Sequence, residues 1–561
     1  MRITSIFYVI VLFSLYSTII NAAPAAPTLE KRQETAQDPD FNTNIFTSFK
    51  PLEVTASPIT REYTLTLAKA ELAPDGFSRL VWTSNGQYPG PMIRANKGDQ
   101  IVIHVQNNLG DFTTIHWHGI FQRGTTFYDG VAGQTQCLIA TGTTFTYNFT
   151  GGEQYGTYWW HSHFRSQYVD GLRGALIIHD PKDPYLNDYD EEFVMTLSDW
   201  HHEDSESLVK KRMTPGYDGF NPVPDSGLIS GRGRCDCSKA PQGSKCVPDN
   251  PLAVYVIEKG KRYRFRVINT SAEAPFTFSI DQHPLRIIEV EVTGILRYNG
   301  APDAYPTTQE WDEKILNCRD VDHNLLKLNP PRSPPVTPTD NFTLRITFDN
   351  IDGVGHALVN GSPFKPEVND PTANKLMYGG DETPSMLDPD QNAFVYDTQN
   401  GSVEINLINE NMATHPFHLH GHNFYIMAHG PGKVPDPSIF NLVDPAVRDT
   451  ITVAGDSWAV IRYNIDNPGI WAFHCHIEWH VEMGMVGQLI ERPSELKGDP
   501  IPPQVKSICP PDDDDDDDNN TAKKRSLKAY KNYYKRSDVP NHSHHRIEKK
   551  FILRKFYYNK R

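Results

Sequence analysis

The segment His474-Cys475-His476-Ile477-Glu478-Trp479-His480-Val481-Glu482-Met483-Gly484-Met485 holds imidazoles, a thiol and thioethers within twelve residues. In an extended stretch successive side chains alternate between faces, so a strand over Phe473 to His476 would aim His474 and His476 one way and the Cys475 sulfur the other. A soft thiolate, the imidazole of His480 and a weak thioether from Met485 suit a trigonal blue-copper electron-transfer site. The flanking histidines suit a second, nitrogen-only site behind it, so two metal centres would share one backbone.

Histidines recur at the same spacing in His116-Trp-His118, His161-Ser-His163, His418-Leu-His420, His420-Gly-His422 and His542-Ser-His544. With 22 histidines in 561 residues, chance alone yields roughly one such pair. All but the last lie in strand-like sequence, where both rings point to one side and present imidazole to copper, zinc or iron. Separate pairs of this kind imply a metal cluster assembled from distant parts of the chain.

The elements that must position these side chains read as strands. Tyr63-Thr-Leu-Thr-Leu, Gln100-Ile-Val-Ile-His-Val, Thr144-Phe-Thr-Tyr-Asn-Phe and Gly174-Ala-Leu-Ile-Ile-His alternate, or run in β-branched and aromatic residues, between Gly, Pro, Asn and Asp turns. A second such set comprises Glu192-Phe-Val-Met-Thr-Leu, Leu252-Ala-Val-Tyr-Val-Ile, Tyr263-Arg-Phe-Arg-Val-Ile and Thr277-Phe-Ser-Ile. A third runs from Leu344-Arg-Ile-Thr-Phe to Val486-Gly-Gln-Leu-Ile, beyond the Pro-rich linker Pro330 to Pro338. Lys97-Gly-Asp, Lys259-Gly-Lys and Ala454-Gly-Asp each set a turn glycine before a strand, as three related sandwiches would. The expected class is all-β, with domains at residues 33–180, 181–335 and 336–511.

The ends read differently. Residues 1–22 begin with Arg2, continue through the apolar run Ile6 to Ile20 and reach Ala22-Ala23, the pattern of a secretory signal, and 23–32 suit a pro-segment ending at Lys31-Arg32. No later stretch is apolar enough to cross a bilayer. Asn148, Asn269, Asn341, Asn360, Asn400, Asn519 and Asn541 are glycosylation acceptors by sequence. Residues 512–561 open with seven aspartates and continue as a basic, aromatic-studded tail. From Asn519 that tail carries net +12, and the chain total of −15 leaves −27 on residues 1–518. Such low-complexity runs are expected to be disordered. The tail either contacts an anionic wall polymer or is removed at Lys524-Arg525, and so acidic a body points away from nucleic-acid partners.

Seven cysteines in an oxidising compartment leave at least one thiol for another task, and Cys475 is the candidate. Cys137, Cys235, Cys237, Cys246, Cys318 and Cys509 remain. Cys235-x-Cys237 with Cys246 reads as a zinc site or, in a secreted chain, more readily as disulfide cysteines.

His116-Trp-His118-Gly, His161-Ser-His163, His415-Pro-Phe-His-Leu-His-Gly-His422 and His474-Cys-His-Ile-Glu-Trp-His480 resemble the four copper-binding signatures of the multicopper oxidases, in the family's order. The resemblance covers most of residues 40–510 and is strongest to fungal laccases. It implies three cupredoxin-like Greek-key β-sandwich domains and four copper ions, one type 1, one type 2 and two type 3. By motif position His415, Cys475 and His480 would hold the type 1 copper, with Met485 axial unless it is simply a core methionine. His116 and His418 would hold type 2, and His118, His161, His163, His420, His474 and His476 the type 3 pair. His422 has no ligand role in the family. The resemblance also pairs Cys137 with Cys509 across the first and last domains.

The activity implied is one-electron oxidation of a small reductant coupled to four-electron reduction of O2 to water. Asp129 and Glu478 stand where relatives keep acids assigned to proton delivery; an ordinary Asp-Gly turn is the plainer reading of Asp129. Asp225 aligns with the laccase carboxylate that accepts a phenolic proton, against the plainer reading of an exposed loop aspartate. A phenolic or aromatic donor and an extracellular or cell-wall laccase follow. The alternatives are a soluble ferroxidase, with Asp199 in place of the usual glutamate, and an inactive copper-binding relative. The last arises because sequence like Glu291 joins directly to sequence like Gly294-Ile-Leu-Arg-Tyr, so strands usual in the middle domain are missing near residues 291–293. A skipped exon or a degenerate domain with unpaired strand edges is expected.

Overall fold

The computed structural model describes residues 45–53, 57–217, 220–276, 331–377, 387–497 and 502–509, with short pieces elsewhere, including the strands Lys31–Gln33 and Leu296–Tyr298. Strands dominate, as alternating sequence requires. In Gln100–Asn107 every second residue is buried, because a pleated strand facing one core turns alternate side chains inward.

The first sandwich pairs a five-stranded sheet containing Thr60–Leu72, Gln100–Asn107 and Thr144–Thr150 with a four-stranded sheet. The latter runs in the order Gly90–Asn96, Arg173–His179, Gly156–Ser162, Ile115–His118. Leu65, Ile103, Val105 and Tyr147 meet Ile93, Trp117, Trp160 and Leu176 between them. The last sandwich packs a six-stranded sheet around Ser402–Asn409 and Ser457–Asn464 on a five-stranded sheet. That second sheet is ordered Ala393–Tyr396, Val486–Glu491, Gly469–Cys475, His415–Leu419, Thr450–Val453.

Among the described residues the middle unit has two three-stranded sheets around Phe193, Met195, Leu197, Tyr255 and Ile257. One of these draws on a distant segment of the chain. Val254–Ile257 is flanked in parallel by Leu296–Tyr298 on one side and by Ile45–Phe46 on the other. A segment from near the start of the chain thus supplies a strand to the middle sheet. The junction at residues 291–293 lies outside the described residues, as do both chain ends and the His542-Ser-His544 pair.

The repeated turns are used unequally. Gly98 and Gly260 take positive φ, but at the third turn Asp456 does so instead. Gly455 is needed there for space, since a Cβ would stand 2.2 Å from the Met412 carbonyl oxygen. A disulfide joins Cys137 of the first sandwich to Cys509, beyond the last, closing a loop of 372 residues as the family resemblance implied. Cys237 is bonded to Cys246, which removes the zinc reading. Cys475 is a buried free thiol, as expected; Cys235 is also free, and Cys318 lies outside the described residues.

Candidate metal centre

Two short strands, one from each outer sandwich, present their histidines to a common space. In Ile115–His118, Ile115 and Trp117 enter the first core, so alternation turns His116 and His118 away from it. The antiparallel neighbour sets His161 opposite His116, and His163 follows just past that strand's end. From the last sandwich, His418 stands opposite His474 and Phe417 opposite Cys475. The strand ends at Cys475, one residue earlier than expected; His476 is fixed instead by its N–H donating to the Pro416 carbonyl at 2.6 Å.

The two sets interleave. His118 stacks on His418 at 3.8 Å between ring centroids, and His116 on His420 at 3.9 Å. His163 lies 5.3 Å from His474, and His161 lies 5.7 Å from His476. Eight imidazoles from two domains therefore surround one space. Burial, reinforced by the neighbouring rings, drives His118, His161, His163, His418 and His420 well below the usual imidazole range, His474 to about 3 and His476 to about 4. Their rings are neutral at physiological pH, as metal binding requires.

Hydrogen bonds to backbone carbonyls orient four of the rings. Nδ1 of His116 donates to the Asp129 carbonyl at 2.7 Å, that of His161 to Ser162 at 2.9 Å, that of His418 to Asp449 at 3.0 Å and that of His474 to Cys475 at 2.8 Å. Each bond puts the ring proton on Nδ1 and leaves Nε2 as a lone pair. Nε2 of His116, His161, His163, His418 and His476, and Nδ1 of His118, are buried with no hydrogen-bond partner. The remaining two, His420 Nε2 and His474 Nε2, face each other at 3.1 Å. A set of unpaired buried acceptors is costly by itself and fits a site built for cations.

Asp129 is fully buried, and its Oδ2 accepts from His420 Nδ1 at 2.8 Å while Oδ1 lies 3.3 Å from His116 Nδ1. Burial raises its carboxyl above the ordinary range, partly offset by His116. The turn beneath it depends on Gly130, which has φ +84° and whose Cβ would lie 1.8 Å from the Ile115 carbonyl oxygen. Asp129 is thus both the Asp-Gly turn and a second support for two cluster histidines. Glu478 is buried too, its carboxyl held well above the usual range by burial and by Glu482. Its N–H donates to Ala272 O at 3.0 Å.

On the opposite face of the Cys475 strand a three-residue site forms. Cys475 Sγ lies 3.6 Å from His415 Nδ1 and 3.5 Å from His480 Nδ1, and the two nitrogens are 3.1 Å apart. The helical turn Glu478–Glu482 brings His480 back toward the sulfur. Met485 is fully buried in the same core; its carbonyl accepts from Cys475 N at 3.2 Å and its N–H donates to His480 O at 2.9 Å. Burial holds the Cys475 thiol far above its ordinary range and His415 down at about 4. A cation between them would invert the thiol's preference.

Family models described as multicopper oxidase match residues 66–183, 191–308 and 362–495. The chain belongs to the multicopper oxidase family. It is 32% identical over 542 residues to Laccase-1 of Cryptococcus neoformans, covering 83% of this chain and 86% of that one. It is 34% identical to Laccase-2 of Agaricus bisporus over 78% and 91% of the two chains. Among solved structures, the laccase from Botrytis aclada superposes with TM-score 0.72 at 30% identity, over 87% of this chain and 94% of the other. Fet3p, described as a multicopper oxidase that functions in iron import, superposes with TM-score 0.69 at 28% identity over 80% and 94%. The outer units of this multicopper oxidase are the family's β-sandwich domains, and copper is the family's cofactor.

The oxidase also places residues that spacing could not reveal. Asn411 Oδ1 bonds His415 Nε2 at 3.0 Å, and Asn221 Nδ2 meets His480 Nε2 at 2.9 Å while donating to Glu273 at 3.1 Å. Nothing in the local sequence marks Asn221, Glu273, Asn411 or Asp449, because their roles arise from contacts between segments far apart in the chain. Asp225 belongs to the same loop as Asn221, but its carboxylate accepts from the His202 N–H at 2.7 Å. Asp199 departs from expectation. It is buried, and its carboxylate takes the N–H groups of Ala272, Glu273 and Ala274 at 2.8, 3.0 and 3.0 Å, so its charge serves a loop and not an external cation. His422 lies 3.2 Å from Glu491 and takes no place among the eight rings.

Proposed function

We propose that this multicopper oxidase is a secreted laccase, coupling one-electron oxidation of phenolic or related aromatic donors to reduction of O2 to water. The observation that carries the reading is the division of one strand, with Cys475 facing His415 and His480 and its neighbours His474 and His476 facing the eight-histidine space. In this reading His415, Cys475 and His480, with Met485 beside them, would hold a type 1 copper. His116 and His418 would hold a type 2 copper, and His118, His161, His163, His420, His474 and His476 would hold a type 3 pair, for four ions in all. Copper so bound supplies the one-electron redox chemistry at the first site and the oxygen chemistry at the second.

The chain's own groups supply the rest. His480 presents Nε2 to the loop carrying Asn221 and Asp225, where a donor would approach. Asp225, half-exposed, would take the phenolic proton, which eases oxidation of the ring. Asp129 and Glu478, both kept toward their protonated forms by burial, would provide protons to the oxygen site. Secretion is supported by the Cys137–Cys509 disulfide and by exposure of the five described acceptor asparagines, Asn148, Asn269, Asn341, Asn360 and Asn400. No helix among the described residues is long and apolar enough to cross a membrane.

The Fet3p likeness keeps iron as the competing donor. Oxygen uptake by purified protein, measured donor by donor, separates the readings. A blue protein consuming O2 with a diphenol is expected. Uptake with ferrous iron alone would replace laccase by ferroxidase, and a copper-loaded protein inert to both would mark an inactive relative.

A further inference from the structure

Three cysteines on one loop have no part in the oxidase chemistry. Cys235 is a free thiol beside the Cys237–Cys246 disulfide. Its Sγ lies 3.6 Å from Cys246 Sγ, and all three sulfurs lie within 4.8 Å of one another. A thiol so close to a disulfide sulfur stands at the start of thiol–disulfide exchange, which proceeds by attack of thiolate on sulfur.

The three are not held alike. Cys235 donates its N–H to Asp75 O at 2.9 Å, Cys246 is bridged to Phe77, and Val247 donates to Gly76 O at 2.9 Å. Both sulfur positions are therefore fastened to one turn, residues 75–78. Gly76 fits there because it has no side chain: a Cβ would lie 2.4 Å from the Val247 carbonyl oxygen. Cys237 instead sits in the single 3-10 turn Cys237–Lys239, none of whose residues is buried, capped only by Asp236. The attacking and central sulfurs are fastened to that turn, and the leaving sulfur is on a turn with no buried residue.

We propose that this loop is a thiol–disulfide exchange site that presents Cys237 for modification by small-molecule disulfides. Cys235 gives its proton to water, and its thiolate attacks Cys246 Sγ. The Cys235–Cys246 bond forms as the Cys237–Cys246 bond breaks, and the electron pair leaves on Cys237, with no net oxidation. The freed Cys237 thiolate then attacks a disulfide RSSR, forming Cys237–S–S–R and expelling RS⁻, which carries away the electron pair. Burial and the adjacent Asp75 push the Cys235 thiol up, whereas the turn Cys237–Lys239 holds no buried residue. The exchange moves the thiol away from a position that disfavours the anion.

Asp75 connects this loop to the donor side, since its carboxylate bonds His202 Nε2 at 2.7 Å and Ser226 Oγ at 2.6 Å. Modification at Cys237 would therefore occur on a segment fastened to the turn that also holds the loop of Asp225.

The test uses the whole copper-loaded protein, unreduced, labelled with iodoacetamide and mapped by peptide mass spectrometry. Label on both Cys235 and Cys237 is expected, with none on Cys246, and incubation with glutathione disulfide should add its half-mass to Cys237. Cys235→Ser should reduce labelling of Cys237 to background. Cys237→Ser should contain a Cys235–Cys246 disulfide. Label confined to Cys235, a native Cys235–Cys318 bond, or free Cys235 and Cys246 in the Cys237→Ser protein would each overturn the proposal.

Discussion

His418 stands directly opposite His474 across the antiparallel pair His415–Leu419 and Gly469–Cys475. The same register sets Phe417 against Cys475, so one ladder step separates the histidine cluster from the sulfur site. A shift of one residue would exchange the two faces, because side chains alternate strictly along a strand. Under the proposed assignment an electron entering at Cys475 would reach the cluster along the covalent chain itself.

Cys475→Ser should leave the eight-histidine cluster intact while removing the thiol sulfur that lies 3.6 Å from His415 Nδ1 and 3.5 Å from His480 Nδ1. Copper content is expected to fall by one ion per chain, the blue band to vanish and turnover with every donor to stop. Metal analysis together with absorption spectra checks this; a blue Cys475→Ser protein would contradict the assignment.

Asp129→Asn keeps the turn but replaces the acceptor that orients His420. Loss of such an outer support costs about 10–100-fold in activity or metal affinity. The slowed step should be reoxidation by O2 and not bleaching by donor, and anaerobic and aerobic stopped-flow traces distinguish them. Gly130→Ala should be worse, abolishing copper uptake at His116, since the added Cβ has no room against Ile115.

Asn221→Ala uncovers the outward nitrogen of His480 and frees Glu273. The expected change is in KM for aromatic donors, by about threefold to tenfold, the scale of one hydrogen bond at a binding edge, with kcat and the blue spectrum nearly unchanged. Steady-state kinetics with a diphenol tests it, and an unchanged KM would place the donor elsewhere.

His179 gives a pH prediction independent of the metal. Burial first, then Arg266 and Arg94, lower its pKa to about 2. The unfolded chain therefore binds a proton below about pH 6.5 that the folded chain refuses. The stabilisation from a neutral His179 is complete above that pH and is lost as pH falls toward the folded value. His179→Gln should flatten the acid limb of stability by up to about 1.4 kcal/mol per pH unit. Thermal melts between about pH 7 and pH 4 should show a smaller fall in Tm for the variant, and parallel limbs would refute the mechanism.

What the residues determined alone was whatever depends on short-range spacing. Alternation located the strands around Gln100, Thr144, Tyr263 and Leu344, and it divided His474 and His476 from Cys475, because side-chain direction in a strand is a local property. The histidine pairs announced a metal cluster for the same reason. Tertiary structure decided the rest. Only packing could bring Ile45–Phe46 into the middle sheet, turn Asp199 inward onto three loop N–H groups, set Cys235 against Cys246, or carry Asn221 to His480. Those contacts join residues far apart along the chain, and no local pattern encodes which distant partner satisfies a buried donor or pairs with a strand.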